Sequence, residues 1–451
     1  MPSLPSDTSL TEGLLELLAR PVDATARIRA GLHVVDWLGC ALIGRVQETG
    51  AVFERNLAPR SIAALIAEGG DPAGLALVLG SFGSILEMDD IHRSAILHPG
   101  PVVIPAAFAC APREVTASRF LDAVVRGYEA MVRLGVAVGP GHYALFHNTA
   151  TCGGFGAAAA AADVLGADSR KKVWALGNAM SVAGGLWQCR NEPVMTKPFH
   201  CAAATQRGVQ AAWLALAGLS GPRYILEGPQ GFFAASCPGA DPRALLSRSD
   251  GPWAILDTSF KPWPACRHAH AAIDAALAVR AKIAPDAIRR IEVRAYADAV
   301  TFCDRPDPAT ETEAKFSLQH AMAVVFAEGE PKLSAFVPDG LARADYRHYR
   351  GMTLVRADDG FSAAYPQHFG SSVTVELADG SRVTESVADA LGDSENPLSM
   401  EAVRAKSLDL MARAGVRDPQ ARQLVSLASA LAERGSFAAF RAELVQAFAA
   451  R

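Results

Sequence analysis

Apolar residues recur at helical spacing over most of the first 265 positions, and the spacing changes to alternation only after Pro285. The first predicted element opens on Ser9-Leu10-Thr11-Glu12, whose Ser9 and Glu12 stand at the reciprocal positions of a capping box, and its amphipathic run reaches Arg20 before Pro21 stops it. Helical periodicity continues through 24–41, 61–67 and 75–88, with Gly, Pro or Asp between the runs. The stretches 117–134, 153–165, 171–187 and 202–219 are also helical in pattern and rich in Ala and Gly, small side chains that let helices approach closely. The pattern predicts an all-helical region over 1–265.

Beyond Pro285 the segments 291–295 and 352–355 read as strands, and 373–377 meets Val383-Thr384 across Asp379-Gly380 as a hairpin. Helices are expected over 271–283 and 314–328, packed on one face of that sheet. Asn396-Pro397-Leu398-Ser399 ends the strand region and caps a helical C-terminus over 400–451, which is expected to rejoin the first domain. The predicted fold is mainly α: a large all-helical domain built from both chain ends, 1–265 and 396–451, with a smaller α+β domain over 266–395. No internal repeat marks a solenoid.

Composition narrows the function classes. At 451 residues the chain is too long for one compact core, and with half its residues apolar and 20% charged it is globular. Forty-three Lys and Arg against 47 Asp and Glu leave a net charge of −4, so no basic surplus points to nucleic acid or an anionic membrane, and a small-molecule ligand moves forward. The run from Val102 to Ala111 is broken by Pro105 and falls short of the roughly 20 apolar residues a membrane helix needs. The opening residues show neither a basic region nor an apolar one of secretory type, so the expected location is the cytoplasm. Eight cysteines without a C-x-x-C pair argue for reduced, buried thiols. Only eight of the 43 basic residues are lysines. Lys, unlike Arg, can be tuned to lose its proton near neutrality, so lysines in apolar or Gly/Pro-rich surroundings are candidates for proton chemistry.

Eight of the eleven histidines cluster near loop-like segments or one another. The segment from Glu87 through Asp89, Asp90, His92, Arg93 and His98 to Gly100 offers acids, imidazoles and a cation for a polyanionic substrate; the rival readings are a metal site and a solvated helix end with capping histidines. The segment 142–154 carries Tyr143 and His147 ahead of Thr149, Thr151 and Gly153-Gly154, where amides of a helix N-terminus can receive a carboxylate. A third segment, 190–200, reads as a polar loop in which Met195, Pro198 and Phe199 flank Lys197; burial there would depress its pKa, as a lysine base requires, and a snorkelling surface lysine is the alternative. Lys261 and Arg267 stand beside Pro262 and Pro264 at the predicted domain border, a favoured place for ligand clefts, and His320 follows Ser317-Leu318-Gln319 in the smaller domain. The glycines at 218–221 and 228–231 match neither a P-loop nor a dinucleotide fingerprint, and no G-x-S-x-G elbow occurs.

In order along the chain, Asp36-Trp37-Leu38-Gly39-Cys40, Asp89-Asp90 with His98-Pro99, Gly127-Tyr128-Glu129, His147-Asn148-Thr149, Lys197-Pro198, Gly228 to Phe232, Lys261 to Cys266, Lys315 to Gln319 and Asn396 to Ser399 resemble the MmgE/PrpD family. Its members include 2-methylcitrate dehydratase, cis-aconitate decarboxylase and iminodisuccinate epimerase. The resemblance implies a helical domain formed by both chain ends plus an α+β domain, a homodimer, no metal and no organic cofactor, and proton chemistry on a small di- or tricarboxylate. By position Lys197, Lys261, His147, His98 and the Asp89/Asp90 pair match residues lining the family's active site. Two departures stand out: Glu87-Met88-Asp89-Asp90-Ile91 replaces the Asp-Phe-Asp-Asp-Thr common in dehydratases and decarboxylases, and His320 replaces a tyrosine. They weigh against decarboxylation and citrate-type dehydration, and the Tyr143 and Lys197 pairing resembles the epimerase of iminodisuccinate type, with a dehydratase or decarboxylase as the alternative. The expected roles are Lys197 as base, Tyr143 or His147 as opposing acid, and Asp89, Asp90, Arg93, His98, Lys261, Arg267, His320 and the amides near Gly153 as substrate contacts.

Overall fold

A computed structural model describes residues 7–57, 59–192 and 194–449. Residues 1–6, read above for a leader, and Pro193 of the 190–200 segment lie outside them. The capping box forms: the Ser9 amide donates to Glu12 Oε2 at 2.8 Å while the Glu12 amide donates to Ser9 Oγ at 3.3 Å, starting the Leu10–Leu18 helix. The chain divides into two compact units, Met1–Thr258 with Ser399–Arg451, and Ser259–Leu398. The first is the helical domain built from both chain ends.

Its centre is the Asn148–Leu165 helix, buried almost throughout and packed by the helices Gly100–Cys110, Ala117–Ala137, Ser169–Ser181 and Thr196–Leu216. Small residues set that spacing: a Cβ on Gly208 would stand 2.4 Å from Ala157 Cβ and 2.6 Å from the Gly154 carbonyl oxygen. The returning C-terminal segment forms three helices, Met400–Arg413, Asp418–Ala430 and Phe437–Ala449, the first capped by Ser399 accepting from the Ala402 amide. Met400–Arg413 lies on the Ala24–Arg45 helix, where Ser407 Oγ donates to the Val35 carbonyl at 2.8 Å.

In the second unit the strand order is Thr353–Ala357, Ile288–Ala295, Ser371–Leu377, Arg382–Val387, with the first pair parallel and the others antiparallel. Ile291, Val293, Val373 and Val375 are buried while Arg294 points to solvent, the alternation of a sheet covered on one face by the helices His270–Arg280 and Leu318–Glu328. At the hairpin Gly380 takes φ +83°, a left-handed turn position where a Cβ would be strained.

Several helical expectations are corrected. The run read as 75–88 stops at Phe82, because the Met88 carbonyl and the Asp90 carboxylate are taken by tertiary partners that a continuing helix could not reach. Residues 217–265 are mostly turns and short 3₁₀ segments rather than helix. The run read as 314–328 is two helices, Glu311–Lys315 and Leu318–Glu328, since the Ser317 side chain leaves the register to cap the second. The segment 190–200 is not all loop: the Thr196–Leu216 helix has already begun at Lys197.

Candidate active site

The loop from Gly83 to Pro99 leaves one helix and enters the next, and its shape is imposed by side chains it buries. Asp90 Oδ1 accepts from the Gly100 amide at 2.8 Å, and Asp90 Oδ2 accepts from Tyr128 Oη and stands against His33 Nδ1, both at 2.6 Å. Burial holds His33 below its ordinary pKa despite the Asp90 carboxylate, and pushes the Tyr128 phenol well up, a shift Asp90 reinforces. Lys406, arriving from the C-terminal helix, donates to the Met88 carbonyl and to Asp36 Oδ1, both at 2.6 Å. Between these anchors Glu87 is held at φ +59° and Ile96 at φ +49°, left-handed backbone that non-glycine residues rarely adopt. Such strain persists only where the surroundings over-determine it, which is the situation at sites that orient functional groups.

What the loop orients is a cluster of proton-exchanging groups. His98 Nδ1 lies 2.9 Å from Asp89 Oδ2 and 2.8 Å from the Asp90 carbonyl, and its amide donates to Thr149 Oγ1 at 3.1 Å. Glu87 forms an ion pair with Lys197. Lys197 and His200, three positions apart on the first turn of the Thr196–Leu216 helix, share a face, and His200 Nδ1 is 3.1 Å from His147 Nδ1. His147 is the N-cap of the Asn148–Leu165 helix; the Trp187 ring packs at 4.3 Å from its own, and Tyr143 stands edge-on to the same indole at 5.9 Å. Burial takes His147 well below its ordinary pKa, helped by Lys197, His200 and His98 and opposed by Asp89. Burial, Arg207 and Lys197 bring His200 down to about 4. At neutral pH the pair is therefore two uncharged imidazoles beside an ammonium and carboxylates, an arrangement that can hold anionic oxygens and move protons. Among the described residues the buried Trp187 indole N–H has no hydrogen-bond partner in the protein, and buried orphan donors of this kind recur at functional sites.

The structure thus brings Asp89, His98, His147, Lys197 and Tyr143 into one neighbourhood. Other candidates of the first unit are committed elsewhere. Asp90 has both oxygens engaged by the framework. Arg93 and His92 turn to Asp257, each at 3.7 Å, and burial lowers His92 to about 4. The four ligand types of the metal reading, Asp89, Asp90, His92 and His98, therefore do not converge; among the described residues the group with ligand atoms within 4.8 Å of one another is His368, Asp389 and Glu395 in the second unit. In that unit Lys261 is buried, Arg267 pairs with buried Asp393, and His320 is enclosed, its Nε2 donating to the Ala335 carbonyl at 2.9 Å and its Nδ1 3.3 Å from Arg350. His320 is spent on its own fold. Two environments differ from expectation. Met195 and Phe199 are half exposed, so Lys197 is set by Glu87 and not by an apolar sleeve, because successive residues of a helical turn fan about 100° apart. Gly153 lies in the second turn of its helix, where its amide belongs to the helix ladder; a Cβ there would meet Ala204 at 2.9 Å, so it is a packing glycine and not a carboxylate receptor.

Reading the sequence missed the parts played by five residues. His33 and Lys406 lie in regular helical patterns, although Lys406 is one of the scarce lysines. Asp36 and Tyr128 appeared only as parts of recurring strings. His200 ended a segment already singled out but had no visible partner, since His147 is 53 positions away.

Comparison with known proteins places these residues in context. The family model described as MmgE/PrpD N-terminal domain matches residues 9–245, and the MmgE/PrpD C-terminal domain matches 263–430. The chain is similar to cis-aconitate decarboxylase of Homo sapiens, 30% identical over 361 residues covering 74% of this chain and 72% of that protein. It is also similar to a cis-aconitate decarboxylase-like protein of Aspergillus oryzae, 26% identical over 432 residues and 88% of each chain. A cis-aconitate decarboxylase of Aspergillus terreus is 24% identical over 414 residues, 84% of this chain and 83% of its own.

Proposed function

Since the chain belongs to the MmgE/PrpD family, we propose that it is a lyase acting on a small polycarboxylate, of cis-aconitate decarboxylase type. The observation that carries this reading is the 30% identity to a decarboxylase over most of both chains. It favours the lyase alternative over the epimerase expected from the two departures and the Tyr143 and Lys197 pairing. The geometry tempers those departures: the longer Glu87 side chain still delivers a carboxylate to Lys197, from a left-handed backbone, and the His320 position serves the fold of its own unit.

Loss of CO2 from a β,γ-unsaturated carboxylate breaks a C–C bond, moves that electron pair into a new double bond, and leaves the old double bond to take a proton at the carbon bearing another carboxylate. The carbon chemistry, proton exchange α to a carboxylate, is shared with dehydration and epimerisation. The protein must anchor the spectator carboxylates, stabilise the developing negative charge and deliver one proton. Lys197, kept charged by Glu87, supplies the cation. His147, neutral and backed by His200, and Tyr143 are the groups placed to deliver the proton, and His98, oriented by Asp89, binds a carboxylate.

Incubation with cis-aconitate in deuterated water is the test. CO2 release with one solvent deuterium in the product, lost by about 10²–10⁴ in Lys197→Ala at unchanged melting temperature, is the expected result. No CO2, with solvent deuterium entering recovered iminodisuccinate, would return the assignment to an epimerase; alkene formation from 2-methylcitrate would make it a dehydratase.

A further inference from the structure

His200 is not needed to build the Lys197–Glu87 pair, yet its ring is buried against His147 with the two Nδ1 atoms 3.1 Å apart. Two uncharged imidazoles in that contact hold a single proton between their Nδ1 atoms, so their tautomers are linked. If His147 owns the proton, its Nε2 is a lone pair and the ring faces the site as a base. If His200 owns it, His147 accepts at Nδ1, carries its own proton on Nε2, and faces the site as an N–H donor. We propose that His200 is a positioning residue that donates from Nδ1 and so holds His147 as the Nε2–H tautomer, a proton donor toward the substrate.

Two observations leave the tautomer of His147 to this contact, and the chemistry of the proposed substrate sets its direction. Burial, with Lys197 and His200 beside it, holds His147 well below its ordinary pKa, and burial, Arg207 and Lys197 bring His200 down to about 4, so both rings are uncharged at neutral pH. The Trp187 ring at 4.3 Å and the Gly185 carbonyl, which accepts from the His147 amide at 2.9 Å, fix the ring and backbone of His147, so the choice of tautomer is left to the Nδ1 contact. A polycarboxylate favours the state that offers it an N–H. This last step rests on the proposed lyase reading; the imidazole contact does not.

The test uses the full-length protein with ¹⁵N-labelled histidine and two variants. His200→Phe keeps the buried ring but removes the donor; His200→Asn places an amide N–H within reach of His147 Nδ1. In the wild type, NMR is expected to show His147 with a protonated Nε2 and an unprotonated, hydrogen-bonded Nδ1. His200→Phe is expected to lose that single tautomer and to lower kcat about 10–100-fold, with KM changed less than about twofold and a displaced pH profile, and His200→Asn to recover most of both. A wild-type spectrum with the proton on Nδ1 of His147 overturns the proposal, whatever the variants do. So does a His147 tautomer that His200→Phe leaves unchanged, or kinetics in which His200→Asn is no better than His200→Phe. Absence of cis-aconitate turnover in the wild type would instead refute the lyase reading, leaving the NMR result to decide the role of His200.

Discussion

Replacing Lys406 with methionine tests how the C-terminal helix holds the site loop. In the native protein the ammonium is 2.6 Å from Asp36 Oδ1 and from the Met88 carbonyl, and the two side chains are only 8% and 2% exposed. Burial has already raised Asp36 to about 6 in spite of Lys406. Asp36 is therefore ionised at pH 7 and gains about 1 kcal/mol from it. Without the ammonium its carboxyl stays protonated past neutrality and forgoes that gain, while the Met88 carbonyl loses a charged donor worth about 2 kcal/mol. The expected cost is about 3 kcal/mol at pH 7, near the low end of what breaking a buried pair does. Its pH dependence follows from the sign. With the folded pKa of Asp36 above the unfolded value, stability falls as pH rises through that interval; in the wild type the fall ends near pH 6, and in the variant it continues beyond 7. The penalty should therefore shrink toward about 2 kcal/mol at pH 5 and widen at pH 8. Urea unfolding followed by tryptophan fluorescence, to which buried Trp37 next to Asp36 contributes, measures it, and the melting temperature should drop about 5 °C. The Lys406→Met/Asp36→Leu double variant should recover only the Asp36 part, about 1 kcal/mol at pH 7, and lose the pH dependence, because the Met88 carbonyl still lacks its donor. A penalty under about 1 kcal/mol at pH 7, or one equal at pH 5 and 8, would refute the reasoning.

Glu87→Gly should cut turnover about tenfold or more and lower the melting temperature less than Glu87→Ala does, because glycine relieves left-handed strain of about 1 kcal/mol while both variants lose the Lys197 pair; full turnover would take Glu87 out of the site. Acid should destabilise the protein early. His92, His200 and His320 are each lowered to about 4, so stability is complete above the unfolded value near 6.5 and falls by about 1 kcal/mol per histidine per pH unit as pH drops toward 4, and a flat melting temperature from pH 7 to 5 would contradict this. Gly208→Ala should cost about 1–3 kcal/mol in denaturant titration, because its methyl would overlap Ala157 and the Gly154 carbonyl; a neutral result would mean the two helices can separate freely.

Much of this was legible along the chain because it depends on neighbours in sequence. The capping box at Ser9, the N-cap at Ser399, the period of the helices, the alternation of the strands and the Asp379-Gly380 hairpin are local rules, and they carried the mainly helical fold with its α+β insert. So did the grouping of histidines near Lys197. Local rules failed where a distant partner intervened. Nothing within a few residues of Met88 signals that Lys406, more than 300 positions away, will draw its carbonyl out of a helix. Nothing near Asp90 signals that Tyr128 and His33 will occupy it, or that His320 will be sealed between Ala335 and Arg350.

The sequence by itself therefore determined which segments become helix or strand and which residue types could exchange protons. Only the tertiary structure decided which of those groups stand together and in what protonation state. A hydrogen bond needs atoms within about 3 Å and a pKa shift needs burial, and both are set by packing between segments, which spacing along the chain does not encode.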